Sequence, residues 1–492
     1  MAETQTSDIK EKIKQSISEF RNEDLFQASK SLLNSLGYNS EKTVQLSPNN
    51  FTGFSQLFDV SKNNFNKEKA CVSDWEKIEV VFQLSSDDFS SQSALFDTKR
   101  VDNKIIESFL FIAIELKNEA YNRSTLAKIT REVNKLTLMP AVIIFKYNNL
   151  LTISVIDRRL HKRDQSKDVL EKVTLIKDIL IPSPLEGEGK GEVTHRAHIE
   201  ILFDLSIDDL KKKYPITNFV ELYTAWQKTL DTKELNKKFF RELSDWYFWA
   251  IDKTVWPDDD EQLSEKDLRN ATNVIRLITR IIFIWFLKEK DLVDEKLFNE
   301  IKLKSILNYN DSNESTYYKA ILQNLFFATL NTPLDKRTFR TKKNYKGYLN
   351  EHRGNPFVFR YENYFKLDFS QLYEGIPFLN GGLFDCLDYK NEKGKMIHID
   401  GFSEEKNNPL KVPDELFFTE SETVDLSKVY NDKRKKNVKV RGLINILNSY
   451  KFTIAENTPI EEEIALDPEL LGRVFENLLA YYNPETQTTA RK

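Results

Sequence analysis

At 492 residues and a net charge of −4, the chain is long enough for two or three domains and is not a uniformly basic nucleic-acid binder. Two cysteines argue against a disulfide framework or a Cys-based zinc site and fit a reducing cytoplasm, and the polar N-terminus lacks the apolar core of a signal peptide. With 34 Phe, 19 Tyr and 6 Trp, an apolar fraction of 40% leaves ample material for cores.

In chain order, the first expected helix runs from Glu23 to Leu36, with Gly37 closing it. KIEVVFQL, Lys77 to Leu84, reads as a strand by its β-branched and aromatic content. FLFIAIELK, Phe109 to Lys117, is a second strand that ends on Glu115 and Lys117, two positions apart and so on one face. A carboxylate and an amine at the end of a buried strand are costly unless used. The use that fits is metal-dependent DNA cleavage, in which Glu115 and an Asp hold Mg²⁺ and Lys117 orients the attacking water. A strand that runs out into solvent on a surface Glu-Lys couple has the same pattern. Asp87, Asp88, Asp97 and Asp102 lie between the two strands, and Asp97 and Asp102, closest to the Glu-x-Lys strand, are the chosen metal partners.

Arg123 to Leu136 carries apolar residues at helical spacing, with Ser124 as its expected N-cap. Arg131 and Lys135, one turn apart on it, are placed to approach a DNA phosphate. Pro140 stops the helix, AVIIFKY (141–147) follows as a strand, and an Asn148-Asn149 turn leads to LLTISVI (150–156) as its hairpin partner. Helix, strand, Glu-x-Lys strand, helix, strand is an order that resembles the PD-(D/E)xK nuclease core. The expected class is therefore α+β or α/β, with a nuclease-like domain over 1–205. That domain would close on AHIEILFDL, Ala197 to Leu205, read as a strand entered by His195 and His198. Within it, Pro182 to Glu192 is a Pro-, Gly- and Glu-rich insertion that builds no core.

A helical connector is expected over 206–330, built on LSDWYFWAIDK, TNVIRLITRIIFIWFLKEK and YYKAILQNLFFATL. Its most apolar run, Ile281 to Leu287, is too short to cross a bilayer and reads as a core helix, so no membrane is expected as a partner. Asp258 to Glu261 is an acidic loop without the spacing of a Ca²⁺ site. Residues 331–492 are mixed and irregular, and end in a helix from Asp467 to Ala480 and a polar tail. Three basic clusters are candidate phosphate contacts: Arg158, Arg159, His161, Lys162 and Arg163; Lys336, Arg337, Arg340, Lys342, Lys343 and Lys346 with Phe339, Tyr345 and Tyr348; and Lys433, Arg434, Lys435, Lys436, Lys439 and Arg441. Solvated loops balanced by nearby acids have the same composition.

LFIAIELK with ITREVNKL, VIDRRLHKRD with DVLEKVTLIKDI, PFLNGGLFD and IALDPELLGRVFENLLAYYNPETQTTARK together resemble the N-terminal half of bacterial Type IIG restriction-modification proteins. In that family a nuclease-like region and a helical connector precede an adenine-specific DNA methyltransferase domain and a target-recognition domain. The resemblance implies a Mg²⁺-dependent DNA endonuclease in phage defence, cytoplasmic, acting on double-stranded DNA beside methyltransferase and recognition domains in cis or in trans. S-adenosylmethionine belongs to the parent protein alone: the chain shows no Gly-rich cofactor turn, Asn355-Pro356-Phe357 lacks a second proline, and Asn483-Pro484-Glu485 lacks an aromatic residue. Two alternatives accompany this reading: a portion of an adenine-specific methyltransferase, and a non-catalytic DNA-binding module that docks on a separate methyltransferase.

Overall fold

A computed structural model describes residues 2–60, 64–88, 107–157, 172–182, 194–257, 266–309, 314–339, 358–366, 370–379, 381–453 and 461–466. The chain divides into two compact units: 1–237 with 448–451 and 455–466, and 238–447 with 452–454 and 467–492. The division falls at 237 rather than at 205, and most of the expected connector shares a unit with most of the irregular region.

The first unit opens on α1 (Ala2–Glu19) and α2 (Leu25–Ser35). Asp24 caps α2 by accepting from the amides of Phe26 and Gln27, both at 3.0 Å. Gly37, at φ +85°, follows as the sequence leads one to expect. After α3 (Phe51–Leu57) come β1 (Trp75–Ser85), β2 (Ser108–Leu116), α4 (Arg123–Asn134), β3 (Ala141–Tyr147), β4 (Leu150–Asp157) and β5 (Lys172–Leu180). A sixth strand, β6 (Glu461–Glu463), joins from far along the chain, and the sheet order is β1-β2-β3-β4-β5-β6. β2 runs parallel to β3, connected through α4, whereas β1 is antiparallel to β2. β5 and β6, neither anticipated from sequence, are parallel to each other.

Strand alternation sorts the core into two layers. Phe109, Phe111 and Ala113 of β2 face one cluster with Ile13 and Ile17 of α1, Leu32 and Leu33 of α2, and Trp226. Leu110, Ile112, Ile114 and Leu116 face the other, with Leu126, Ile129 and Val133 of α4 and Phe54 of α3. The sheet is thus covered on both faces, which is why β2 and β3 read as continuous apolar runs.

Two local expectations are corrected. Ala197 to Leu205 is not a strand: it forms α5 (Arg196–Asp204), capped by His195, whose Nδ1 accepts from the Ala197 amide at 3.1 Å. Ala197, Ile199, Ile201 and Phe203 alternate as a strand would, but the half-exposed Arg196, Glu200 and Asp204 fall every fourth residue, on one side of a helix whose other residues are buried. The cap of α4 is Asn122, whose Oδ1 accepts from the Thr125 amide at 2.8 Å, rather than Ser124.

The second unit takes up within the helix Thr232–Lys253 and contains the helix Lys266–Lys288. Ile281, Ile282, Ile284 and Trp285 are fully buried there. That helix is the one among the described residues long and apolar enough to cross a membrane by composition, but 61% of its apolar window is buried inside the protein. Tyr317–Leu330, almost wholly buried, is wound as a π-helix, and the Thr329 and Thr332 hydroxyls each bond a carbonyl five residues back.

Asp388 organises a tight turn in this unit. Its carboxylate accepts from the amides of Ile399, Asp400, Gly401 and Phe402 and meets His398 Nδ1 at 3.3 Å. Burial alone would raise the Asp388 carboxyl, but the His398 contact and these amides hold it below its ordinary value of 3.8. Chiefly through the same contact, His398 is raised above 6.5. The His398 contribution is complete below pH 6.5 and fades as pH rises through its raised folded value; that of Asp388 fades as pH falls from about 3.8. His398→Gln is therefore expected to lower the urea midpoint between about pH 4 and 6.5 and to leave it nearly unchanged at pH 8.

Candidate nuclease site

Glu115 lies at the carboxyl end of β2, the end at which parallel α/β strands commonly present functional groups. It is opposite Lys146 on β3 and Lys77 on β1. Its Oε1 accepts from Lys146 Nζ at 2.7 Å, and its Oε2 lies 3.3 Å from Lys77 Nζ. Burial would raise the Glu115 carboxyl, but the two ammoniums outweigh it and hold the group below the usual carboxylate range. The carboxylate is therefore ionised at neutral pH and clamped from both neighbouring strands.

Lys117 follows at once. Its amide donates to the Asp74 carbonyl at 3.0 Å and its Nζ to the Ser73 carbonyl at 2.7 Å. It is exposed and forms no ion pair with Glu115 among the described residues. Asp74 shapes the turn after β2, because its Oδ2 accepts from Asn118 Nδ2 at 3.1 Å and from the Tyr121 hydroxyl at 3.3 Å.

Sequence reasoning missed a second carboxylate, Glu79. It pairs with Ala113, and Lys77 pairs with Glu115, so Glu79 and Glu115 are diagonal neighbours on one face of the sheet. Such positions are about 7–8 Å apart at Cα, within span of two long side chains. Glu79 Oε1 accepts from Asn49 Nδ2 at 2.9 Å. Burial, reinforced by Asp24 and opposed by Asn49 and Lys77, raises its carboxyl. The signal was present in the polar alternation of Lys77 and Glu79 with Ile78 and Val80.

Asp97 and Asp102, the expected metal partners, lie outside the described residues. Their connection leaves β1 at Ser85 and enters β2 at Ser108, seven residues from Glu115 and so roughly 23 Å along the strand. Asp88 belongs to that remote end, where it accepts from Lys42 Nζ at 3.0 Å and the Ser85 amide at 2.7 Å.

As a donor set, Glu115 and Glu79 supply hard carboxylate oxygens of the kind Mg²⁺ takes. Both Glu115 oxygens already face ammoniums, so ion entry requires Lys77, 48% exposed, to move aside. Three lysines at the same end also suit phosphate oxygens.

Of the expected DNA contacts, Arg131 is engaged by Glu461 at 3.0 Å and Lys135 by Glu132 at 2.7 Å. Neither is a free phosphate contact in this conformation. Arg158, Arg159, Lys162, Arg163, Arg340, Lys342 and Lys343 lie outside the described residues. In the third basic cluster Arg434, Lys435 and Arg441 pair with Asp432, Asp245 and Glu242, as balanced surface loops do. His195 is a helix cap and His198 is buried, its pKa pushed well below 6.5 first by desolvation and then by Lys451 and His195. Among the described residues only Cys386, Asp388 and Asp400 bring three potential metal-ligand atoms within 4.8 Å, and there Asp388 accepts from backbone amides and Asp400 from the Leu387 amide and the buried Arg280. Neither cysteine forms a disulfide. The expected C-terminal helix and most of the Pro182 to Glu192 segment also lie outside the described residues.

No family model matches the chain, and no solved structure matches it. A relative among curated proteins is an inferred type II restriction enzyme and methyltransferase of Methanocaldococcus jannaschii, 28% identical over 313 residues. The matched region is 60% of this chain and 20% of the relative, so the chain spans about a fifth of the length of that protein. The likeness is thus to part of a restriction-modification protein.

Proposed function

We propose that this chain is the DNA-cleaving and connector portion of a restriction-modification protein of phage defence, acting in the cytoplasm with methyltransferase and target-recognition domains in cis or in trans. The observation that carries the reading is the placement of Glu115 and Lys117 at the carboxyl end of β2, beside parallel β3 across the α4 crossover, in a chain related to a restriction enzyme. That arrangement is the reason to read the first unit as a PD-(D/E)xK-type core. Glu115 and Glu79 would hold Mg²⁺, which when bound supplies Lewis-acid stabilisation of the phosphoryl group and a more acidic water. Lys117, released from the Ser73 carbonyl, would orient the water and offset charge on the phosphate. Lys77 and Lys146 would move from Glu115 to phosphate oxygens.

Cleavage of unmodified double-stranded DNA in the presence of Mg²⁺ tests the assignment. Glu115→Ala and Lys117→Ala are each expected to reduce cleavage by roughly 10²-fold or more. Glu79→Gln should do the same, and Asp97→Asn and Asp102→Asn test whether the β1–β2 connection supplies the second carboxylate. If either of the latter pair abolishes cleavage while Glu79→Gln does not, the metal partner is in the β1–β2 connection. Mg²⁺-dependent nicking that survives both Glu115→Ala and Lys117→Ala sinks the site.

The double-lysine clamp on Glu115 favours one second reading, a non-catalytic DNA-binding module. It predicts salt-sensitive duplex binding and no cleavage by any form.

A further inference from the structure

β6 consists of three successive glutamates, an unpromising strand sequence: its β propensity is low and it gathers like charges. It lies parallel on β5 through only three residue pairs, Glu461 with Val173, Glu462 with Thr174 and Glu463 with Leu175. Side-chain contacts explain its place. Glu461 accepts from Ser124 Oγ at 2.7 Å and from Arg131 Nη1 at 3.0 Å, both on α4. Glu462 accepts from Lys172 Nζ at 2.8 Å and from the Thr232 hydroxyl at 3.3 Å. Glu461 and Glu462 thus each meet at least one cation and one hydroxyl. Burial would raise the Glu461 carboxyl, but Ser124, Arg131 and then Arg123 hold it low, so the grip is made to an anion.

A guanidinium and a hydroxyl arranged for a carboxylate are equally suited to phosphate oxygens. α4 is also the helix into which the Glu115 strand leads, so this contact belongs to the same strand-helix-strand crossover as the candidate site. We propose that Ser124 and Arg131, with Arg123 beside them, form a DNA-backbone contact that Glu461 fills in the resting chain, and that Lys172 latches the covering strand through Glu462. The duplex then displaces β6 from the edge of β5. This inference rests on the DNA reading, but not on catalysis.

Duplex binding without Mg²⁺ tests it, using the full chain and fluorescence anisotropy of a labelled unmodified duplex. The variant Glu461→Gln with Glu462→Gln should bind roughly fivefold more tightly or better at low salt. Its plot of log affinity against log salt should steepen by about one for each cation that gains a phosphate. Adding Arg131→Ala should remove most of the gain. In the wild-type chain, duplex addition should speed hydrogen exchange at the amides of 461–466 and 173–175. Unchanged affinity in a double variant with a wild-type melting curve overturns the proposal, as does a gain that survives Arg131→Ala or duplex-induced protection of those amides. Should the double variant fail to fold, the exchange experiment on the wild-type chain decides. Tighter binding without cleavage by any form keeps this inference and removes the nuclease; cleavage without the gain does the reverse.

Discussion

Arg280→Ala is expected to destabilise the second unit by about 3–5 kcal/mol, read as a fall in the urea midpoint. Arg280 is 3% exposed, and each arm of its guanidinium is used. Nε donates to the Leu383 carbonyl at 2.9 Å, Nη1 to Asp400 Oδ1 at 2.9 Å and Nη2 to the Asp385 carbonyl at 2.8 Å. The rings of Phe326 and Phe327 approach its guanidinium at 5.6 and 5.1 Å. Truncation leaves a buried carboxylate whose remaining polar partners among the described residues include Arg276 at 4.0 Å and the Leu387 amide, together with two carbonyls short of a donor. Most of the expected cost is that unpaired charge, not lost attraction. Arg280→Met combined with Asp400→Leu should therefore recover a large part of it. A single-variant loss below about 1 kcal/mol would show that water reaches Asp400 readily.

Phe109→Ala should cost the first unit a similar amount, about 3–5 kcal/mol. The ring is fully buried at the start of β2, with ring centroids of Phe219 at 4.9 Å, Trp226 at 5.2 Å, Tyr223 at 5.8 Å and Phe111 at 5.9 Å. Three of the four rings stand on the one helix Phe219–Thr229 and Phe111 on β2 itself, so the space closes only if that helix moves as a body, and otherwise the cavity remains. Phe109→Leu should lose much less. A loss under about 1.5 kcal/mol for the alanine variant would mean that the helix Phe219–Thr229, which carries Phe219, Tyr223 and Trp226, relaxes into the gap.

Much of the first sheet was legible because its strands are nearly pure apolar runs ended by turn residues. AVIIFKY occupies β3 over its whole length, and Asn148 takes the left-handed turn at φ +49°. Element order around Glu115 could be read for the same reason. α1 was overlooked, although Ile9, Ile13 and Ile17 recur every four residues, because its charged face dominates the composition. α5 was misread because its apolar residues also fit a period of two, although Arg196, Glu200 and Asp204 recur every fourth residue as a helix requires. β6 was not legible at all: partners hundreds of residues away stabilise it, and local propensity carries no trace of them. The site was half legible for a related reason. Spacing along one strand exposed Glu115 and Lys117, but Glu79 belongs with them only through cross-strand register. The lysine clamp likewise depends on what β1 and β3 place opposite Glu115.

Ser124 and Glu461 meet although 337 positions separate them in the chain. The six-stranded sheet is therefore completed last during synthesis. After β5 has left the ribosome, roughly 280 more residues must be made before β6 exists, a wait of about 14–56 s at ordinary elongation rates. Meanwhile the edge of β5 has no sixth strand and Arg131 has no Glu461. A nascent chain would thus emerge with this contact still open, to be covered by a segment translated only after most of the second unit.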